Sequence, residues 1–394
     1  MAGKTKRKYH GEIIKINKNL KKPIEKILEI LPYNYNLNLI EEYFKKYYYY
    51  EWFYIKDMKE VYDIKDRRLE SYGKKKRYNA SNPKEYLLSL PQIKYKLNQK
   101  SKDKHKLSYN SNQRAKLLEE LEQDSKKRYE KRYEKIKRAK EKVQQVEPEF
   151  LDKLMGLYER KNAPLNHEEK VYIFHELEKY YCVKTINFFR KHNDKEINHQ
   201  LRNMAFITLQ KWGHYVKLRK KNSIRISAKN KKRKEYLKNI YSNLTYDIKK
   251  IPQELEYRIE NNKDQKIKSY DYFISHSSLD YNEVQELIDN LNRQNKNIYC
   301  DWISDTNFLK RKLVGDATKK VIEKRMEQSK MMILLKSNNS IISNWVKYEL
   351  NYFRELKKPI FQIDLIDKNN NLVEISDFSN QWFYDEEYKN INLY

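Results

Sequence analysis

The sequence predicts a mainly α-helical N-terminal region followed by a C-terminal α/β domain, a parallel sheet of four to five strands flanked by helices. Three observations carry this. From Ser269 onward short β-prone apolar runs alternate with amphipathic helices, the pattern of a parallel α/β sheet. The whole chain of 394 residues holds only 6 Gly and 8 Pro, which suits long helices rather than a turn-rich β fold outside that domain. The charge also changes at this place: residues 1–267 carry 66 basic and 36 acidic side chains, whereas the rest carries 18 and 19.

Residues 1–147 read as a basic helical region with a loop-rich connector. Residues 1–20 form a basic arm with weak structure, and a helical stretch follows from Pro23 to about Tyr72. Between Tyr43 and Tyr54 lie nine aromatics. Consecutive aromatics cover every face of a helix, so this one is expected to be buried on most sides. The functional alternative is a stacking platform for bases, with Lys45, Lys46 and Lys56 on phosphates. Residues 73–113 are polar and basic and read as the connector. From Arg114 to Gln145 the chain is charged and helical, with Arg-Tyr-Glu-Lys repeated at 128–131 and 132–135. Its narrow stripe of Tyr129, Tyr133, Ile136 and Val143 suits a helical hairpin or a short coiled-coil contact.

Residues 148–260 read as a second helical region. Asn166, with Glu169 three residues on, marks the start of a helix that presents Val171, Phe174 and Leu177 on one face. His167, His175, His192, His199 and His214 are scattered without metal-ligand spacing, so no metal is expected. Residues 261–268 are polar, lack apolar periodicity and read as a linker to the domain at 269–394.

In that domain the predicted strands are Asp271 to Ser275, Ile298 to Trp302, Lys330 to Leu335 and Pro359 to Ile363, with a short fifth over Gln381 to Tyr384. Ligands of such sheets bind beyond the carboxyl ends of the strands, and those ends carry Ser275-His276-Ser277 and Asp301 to Asp305. No phosphate-cradling glycine motif occurs, since the only glycine here is Gly315. Ser275 and His276 are neighbours on a strand, point to opposite faces and do not pair. Trp345 and Glu349 stand four apart on a helix whose N-cap is Ser343, and so share one face. A flat aromatic beside a carboxylate suits a cationic aromatic ring bound to a sugar. The plainer reading is a core anchor beside a solvated carboxylate.

The runs DYFISHSSLD, YCDWISD and SNWVKYEL, in that order and on those elements, resemble the successive boxes of a bacterial Toll/interleukin-1 receptor (TIR) domain. The resemblance covers Ser269 to Tyr394 and implies a flavodoxin-like fold. It also implies an NAD+ nucleosidase that takes NAD+ as substrate, needs no cofactor and releases nicotinamide with linear or cyclised ADP-ribose. The family's catalytic glutamate falls on Glu349 and its helix-start aromatic on Trp345. Its pocket-lining loop falls on His276, Ser277 and Ser278, although many relatives carry an aromatic and a basic residue there. Asp301 and Asp305 flank the loop Ile303 to Val314, which in the family governs pocket access and head-to-tail packing, and either contact substrate or cap the turn. The resemblance further implies self-association through TIR domains, low activity in the monomer and a role in antiphage defence. A trigger, such as a phage component or nucleic acid, would act through the helical region. Two other readings stay open: a non-enzymatic TIR scaffold, and a nucleic-acid-binding protein acting through its basic N-terminal region.

The two cysteines, Cys182 and Cys300, make no disulfide framework and fit a reducing cytoplasm. The basic N-terminus has no apolar core of a signal peptide, and no apolar run reaches membrane-spanning length, so no membrane partner is expected.

Overall fold

The computed structural model describes residues 4–160, 164–217, 226, 228, 230–366, 369–378 and 382–393. The chain forms two compact units, Met1–Lys137 with Gly213–Tyr215, and Arg138–Trp212 with Val216–Tyr394. The division therefore falls at 137 rather than at the expected 147, and the helices of the second region share one unit with the sheet.

The first unit is helical: α1 (Lys4–Glu29), α2 (Leu37–Tyr47), α3 (Tyr49–Glu70), α4 (Pro83–Ser89), α5 (Pro91–Leu97), α6 (Gln99–Ser108) and most of α7 (Ser111–Glu141). The expected weak arm over 1–20 is instead the first part of α1. Ile13, Ile16, Leu20, Ile24 and Ile27 recur at three- and four-residue spacing and pack into the core, a stripe masked by the lysines between them. The aromatic run breaks into two helices at Tyr48, where φ is −131°. Phe44, Tyr47 and Tyr48 are buried, Tyr43 and Trp52 pack partly buried against the same core, and Tyr49 is exposed, so the run is core on one side only. The expected connector over 73–113 is largely ordered into α4, α5 and α6, with Tyr86, Leu87, Leu90 and Ile93 buried. Asn82 and Glu85 cap α4 reciprocally. The segment before it is tied down by Asp66, whose carboxylate accepts backbone N–H bonds from Arg77 (2.8 Å) and Asn79 (2.8 Å).

The second unit opens with α8 (Phe150–Tyr158), α9 (His167–Leu177), α10 (Val183–Lys195), α11 (His199–Lys211), α12 (Lys231–Asn239), α13 (Pro252–Asn261) and α14 (Lys263–Lys266). Asn166 and Glu169 form the expected capping box of α9. Leu154, Phe174, Leu177, Phe189, Leu201 and Leu209 centre this helical core. The expected linker at 261–268 is no free tether: Asp264, Gln265 and Lys268 are buried, and their polar atoms meet charged partners rather than water.

The sheet follows with β1 (Tyr270–Ser275), β2 (Ile298–Tyr299), β3 (Ser329–Lys336), β4 (Ile360–Asp364) and β5 (Asn369–Glu374), in the order β2-β1-β3-β4-β5. The first four are parallel, with Phe273 opposite Tyr299 and Ser275 opposite Leu334, and β5 is antiparallel to β4. Helices α15 (Tyr281–Arg293), α16 (Asp301–Ser304), α17 (Asp316–Glu327), α18 (Asn338–Ile341) and α19 (Asn344–Glu355) complete the domain. Strand residues alternate between two cores, Phe273, Met332 and Leu334 on one face, and Ile274, Ile333 and Leu335 on the other. Two strand expectations change. β2 has two residues because the chain turns at Cys300 into α16, with the Ser304 N–H donating to the Cys300 carbonyl at 2.7 Å. The last strand lies at 369–374, not over Gln381 to Tyr384. Gln381 lies outside the described residues, and Phe383 is a buried core residue in irregular chain. Among the described residues, no helix is long and apolar enough to cross a membrane.

Candidate active site

The strand order changes direction between β1 and β3, the switch point beyond whose carboxyl ends ligands of such sheets bind. Ser275 ends β1 there, fully buried on the same face as Phe273. Above that face runs α19, capped by Ser343, whose hydroxyl accepts from the Val346 N–H. Val346, Leu350 and Phe353 bury one side of the helix and set its rotation. Glu349 is thereby turned to the end of β1, where the Ser275 hydroxyl donates to its Oε2 at 2.6 Å.

Glu349 is partly buried. Its carboxyl is pushed up from an ordinary 4.5 to about 8, by burial first and by the Asp301 charge second, while the Ser275 hydroxyl opposes both. The folded state therefore keeps this proton between pH 4.5 and about 8, where the unfolded chain has lost it. The resulting stabilisation is complete below pH 4.5 and is lost as pH rises towards 8. Glu349→Gln should accordingly raise the melting temperature above wild type at pH 8 more than at pH 5. An equal difference at both values would show that burial does not shift this group.

His276 leaves β1 toward the other face. Its Nδ1 is 3.1 Å from the Ile274 carbonyl oxygen, and its Nε2 lies 3.9 Å from Asp301 Oδ1. Asp301 is half-exposed at the start of α16. The Trp302 ring stands 6.3 Å from His276 and receives the edge of Tyr281 at 4.2 Å. Ser277 is buried and turns the loop by accepting from the Leu279 N–H at 3.4 Å, whereas Ser278 is exposed. Asp280, also buried, accepts from the Ser337 hydroxyl and from Asn339 (2.6 Å), which ties this loop to α18. Trp345 is partly buried against Tyr348, Tyr388 and Leu393.

Asp305 differs from expectation. It does not contact an open pocket but is fully buried, with Arg325 Nε at 2.8 Å and Lys179 Nζ at 3.4 Å. Burial pushes its carboxyl up, yet Arg325, Lys179 and Lys268 outweigh burial and hold it at about 2. Three residues on, Phe308 buries its ring with Tyr172, Leu255, Ile259 and Val321. The loop after β2 is thus fastened to the helices before the sheet by an ion cluster and an apolar anchor.

Sequence reading brought out Glu349, His276 and Asp301, which the fold gathers at one sheet edge. It missed Ser275 as the partner of Glu349, although the period-two alternation from Phe273 places that hydroxyl under α19. Cys300 and Trp302, which the sequence places in one strand with Ile298, instead follow that strand and lie beside His276 and Asp301.

A family model described as "Thoeris protein ThsB, TIR-like domain" matches residues 273–370. A protein of Cytobacillus dafuensis named "Putative cyclic ADP-D-ribose synthase TIR2" is 40% identical over 368 residues, which cover 93% of each chain. The chain belongs to the bacterial TIR-domain family. At 368 residues that alignment extends well beyond the sheet domain into the helical part of this chain. The "Probable 3' cyclic ADP-D-ribose synthase ThsB'" of Bacillus cereus (strain MSX-D12) is 35% identical over 95 residues, 24% of this chain and 49% of that protein. No solved structure gives a significant match.

Proposed function

We propose that this TIR protein cleaves the nicotinamide–ribose bond of NAD+ and closes the remaining ADP-ribose on itself. The observation that carries the reading is the partly buried Glu349 carboxylate, held by Ser275 at the switch point of the sheet. The names of the two relatives, each of which reads cyclic ADP-D-ribose synthase, support the same chemistry.

The C–N bond breaks with its electron pair moving to the ring nitrogen, so cationic nicotinamide leaves neutral and no general acid is needed. The ribose carbon develops oxocarbenium character. Ionised Glu349 stabilises that charge and holds the ribose hydroxyls. A nucleophilic atom at the adenosine end of the same molecule then forms the new bond, and its proton passes to solvent. Capture by water instead gives linear ADP-ribose. In this reading His276 and Asp301 line the ribose side, the loop through Ser277 and Ser278 borders it, and Trp345 stacks on a ring of the dinucleotide.

We assign trigger sensing to the basic helical portion and assembly to contacts between TIR domains, in the setting of antiphage defence. A scaffold without activity has no use for a carboxylate at Glu349, which favours the enzyme. The deciding experiment incubates concentrated full-length protein with NAD+ and resolves the products. Nicotinamide with a cyclic ADP-ribose in equal amounts is the expected result. Nicotinamide with linear ADP-ribose alone would remove the cyclase assignment. Glu349-independent toxicity on expression, together with no NAD+ loss, would favour the scaffold.

A further inference from the structure

The scattered histidines of the helical regions gave no reason to expect a metal, yet the fold assembles a donor set at the sheet edge. His276 follows β1 and Cys300 follows β2, and these strands are parallel neighbours, so their carboxyl ends meet. Asp301 comes next in the chain. One donor atom from each of His276, Cys300 and Asp301 lies within 4.8 Å of the other two. The Asp301 Oδ1 is 4.0 Å from the Cys300 sulfur and 3.9 Å from His276 Nε2.

We propose that these three residues bind a thiophilic divalent cation of the zinc type, and that the cation blocks the NAD+ site. The orientation of His276 is the second observation behind this. Its Nδ1 faces a carbonyl oxygen, which only accepts, so Nδ1 carries the hydrogen. The Nε2 lone pair is then the free one, and it faces Asp301 and Cys300. A backbone carbonyl holding the remote ring nitrogen is the usual support of a metal-bound histidine.

Distances and donor types agree with this assignment. Bonds of about 2.0–2.3 Å in a tetrahedral zinc site place ligand atoms somewhat under 4 Å apart, so the observed edges need only a small contraction. Asp301, which is half-exposed, can supply it on both of its edges, and the His276–Cys300 edge already lies within 4.8 Å. Sulfur, imidazole and carboxylate together select zinc over magnesium or calcium, which prefer all-oxygen shells. Three protein ligands leave a fourth position. Ser275, which holds Glu349 at 2.6 Å, directly precedes His276 in the chain, so the cation would sit near the carboxylate proposed for catalysis.

Cation binding stands on geometry alone, and only its inhibitory effect rests on the proposed NAD+ chemistry. The test uses the full-length chain, stripped with chelator and titrated with cobalt(II), then with zinc. One equivalent of cobalt should bind with a near-ultraviolet thiolate-to-metal band, and zinc should displace it. Cys300→Ser should abolish the band and weaken zinc binding by at least about tenfold, since loss of a mere supporting group already costs that much. Cys182→Ser should keep the band. The chain has two cysteines, so this second variant assigns the sulfur even if Cys300→Ser does not fold. No thiolate band in wild type, or a band lost in Cys182→Ser, overturns the site. In an NAD+ assay zinc should inhibit wild type competitively and spare Cys300→Ser. A chain that binds cobalt through Cys300 but cleaves no NAD+ under any condition would sink the proposed function and leave the cation site standing.

Discussion

Glu349→Gln is expected to lower NAD+ cleavage by at least about 10²–10³-fold, the loss typical of removing one preorganised electrostatic group. Glutamine keeps the side-chain shape and can still accept from the Ser275 hydroxyl, so the variant removes the capacity to ionise and little else. The same group sets the pH profile. With its carboxyl at about 8, the free enzyme holds Glu349 mainly protonated at neutral pH, and only the ionised form stabilises an oxocarbenium ion. kcat/KM should therefore rise about tenfold per pH unit below that value and level off above it. Binding of a cationic nicotinamide ring favours the anion, so the kcat profile should shift to lower pH than the kcat/KM profile. The check is steady-state kinetics of both proteins from pH 6 to 9.5. Retention of more than about a tenth of the wild-type rate in Glu349→Gln, or a flat wild-type profile, would remove the carboxylate from the mechanism.

The sheet was legible because its strands are short apolar runs between amphipathic helices, and each buried strand has to read that way. Glu349 was legible through helical spacing: Val346, Leu350 and Phe353 define the buried side, which leaves Glu349 to face elsewhere. Its hydroxyl partner needed the strand order as well, since only the β1–β3 switch point brings Ser275 beneath α19. Cys300 and His276 are 24 residues apart, far from metal-motif spacing, and meet only because parallel neighbours end at one edge. Asp305 misled for a related reason. A carboxylate after a strand end suggests a ligand contact, and nothing nearby in sequence reveals Arg325 or Lys179, which come from α17 and from the end of α9. The polar stretch 261–268 misled in the same way. Lys268 and Gln265 are buried because Glu176 meets them, and a hydropathy profile sees polarity without seeing partners.

Asp305→Asn should destabilise the second unit by about 3–5 kcal/mol, the usual consequence of removing one partner from a buried ion pair. In the native chain Asp305 binds Arg325 through both carboxylate oxygens, at 2.8 and 3.2 Å, and both side chains are fully buried. Around them lie Lys179, Glu176 and Lys268, with Glu176 paired to Lys268 and 2.9 Å from Lys179. Gln265 bridges the two ends, donating to Glu176 at 3.0 Å and accepting from Arg325 at 2.8 Å. Three cations thus face two carboxylates, and neutralising Asp305 leaves Arg325, Lys179 and Lys268 in a low-dielectric interior with Glu176 as their one anion. Arg325→Met should cost less than Asp305→Asn, because it removes the excess cation, and the double variant should cost less than the sum of the two. The pH dependence has a definite sign. The folded carboxyl sits at about 2, below its ordinary 3.8, so the stabilisation is present above pH 3.8 and is lost as pH falls through about 2. Urea unfolding of the full chain, followed by a probe confined to the second unit, measures each quantity. A loss below about 1 kcal/mol for Asp305→Asn would mean that water reaches the cluster and that the pair behaves as a surface bridge. A large loss carries a consequence for the site. The same cluster fixes the start of the loop after β2, one short turn from Asp301, so the segments that carry Lys179, just after α9, and Lys268, just before β1, also brace the chain beside the site proposed for Glu349.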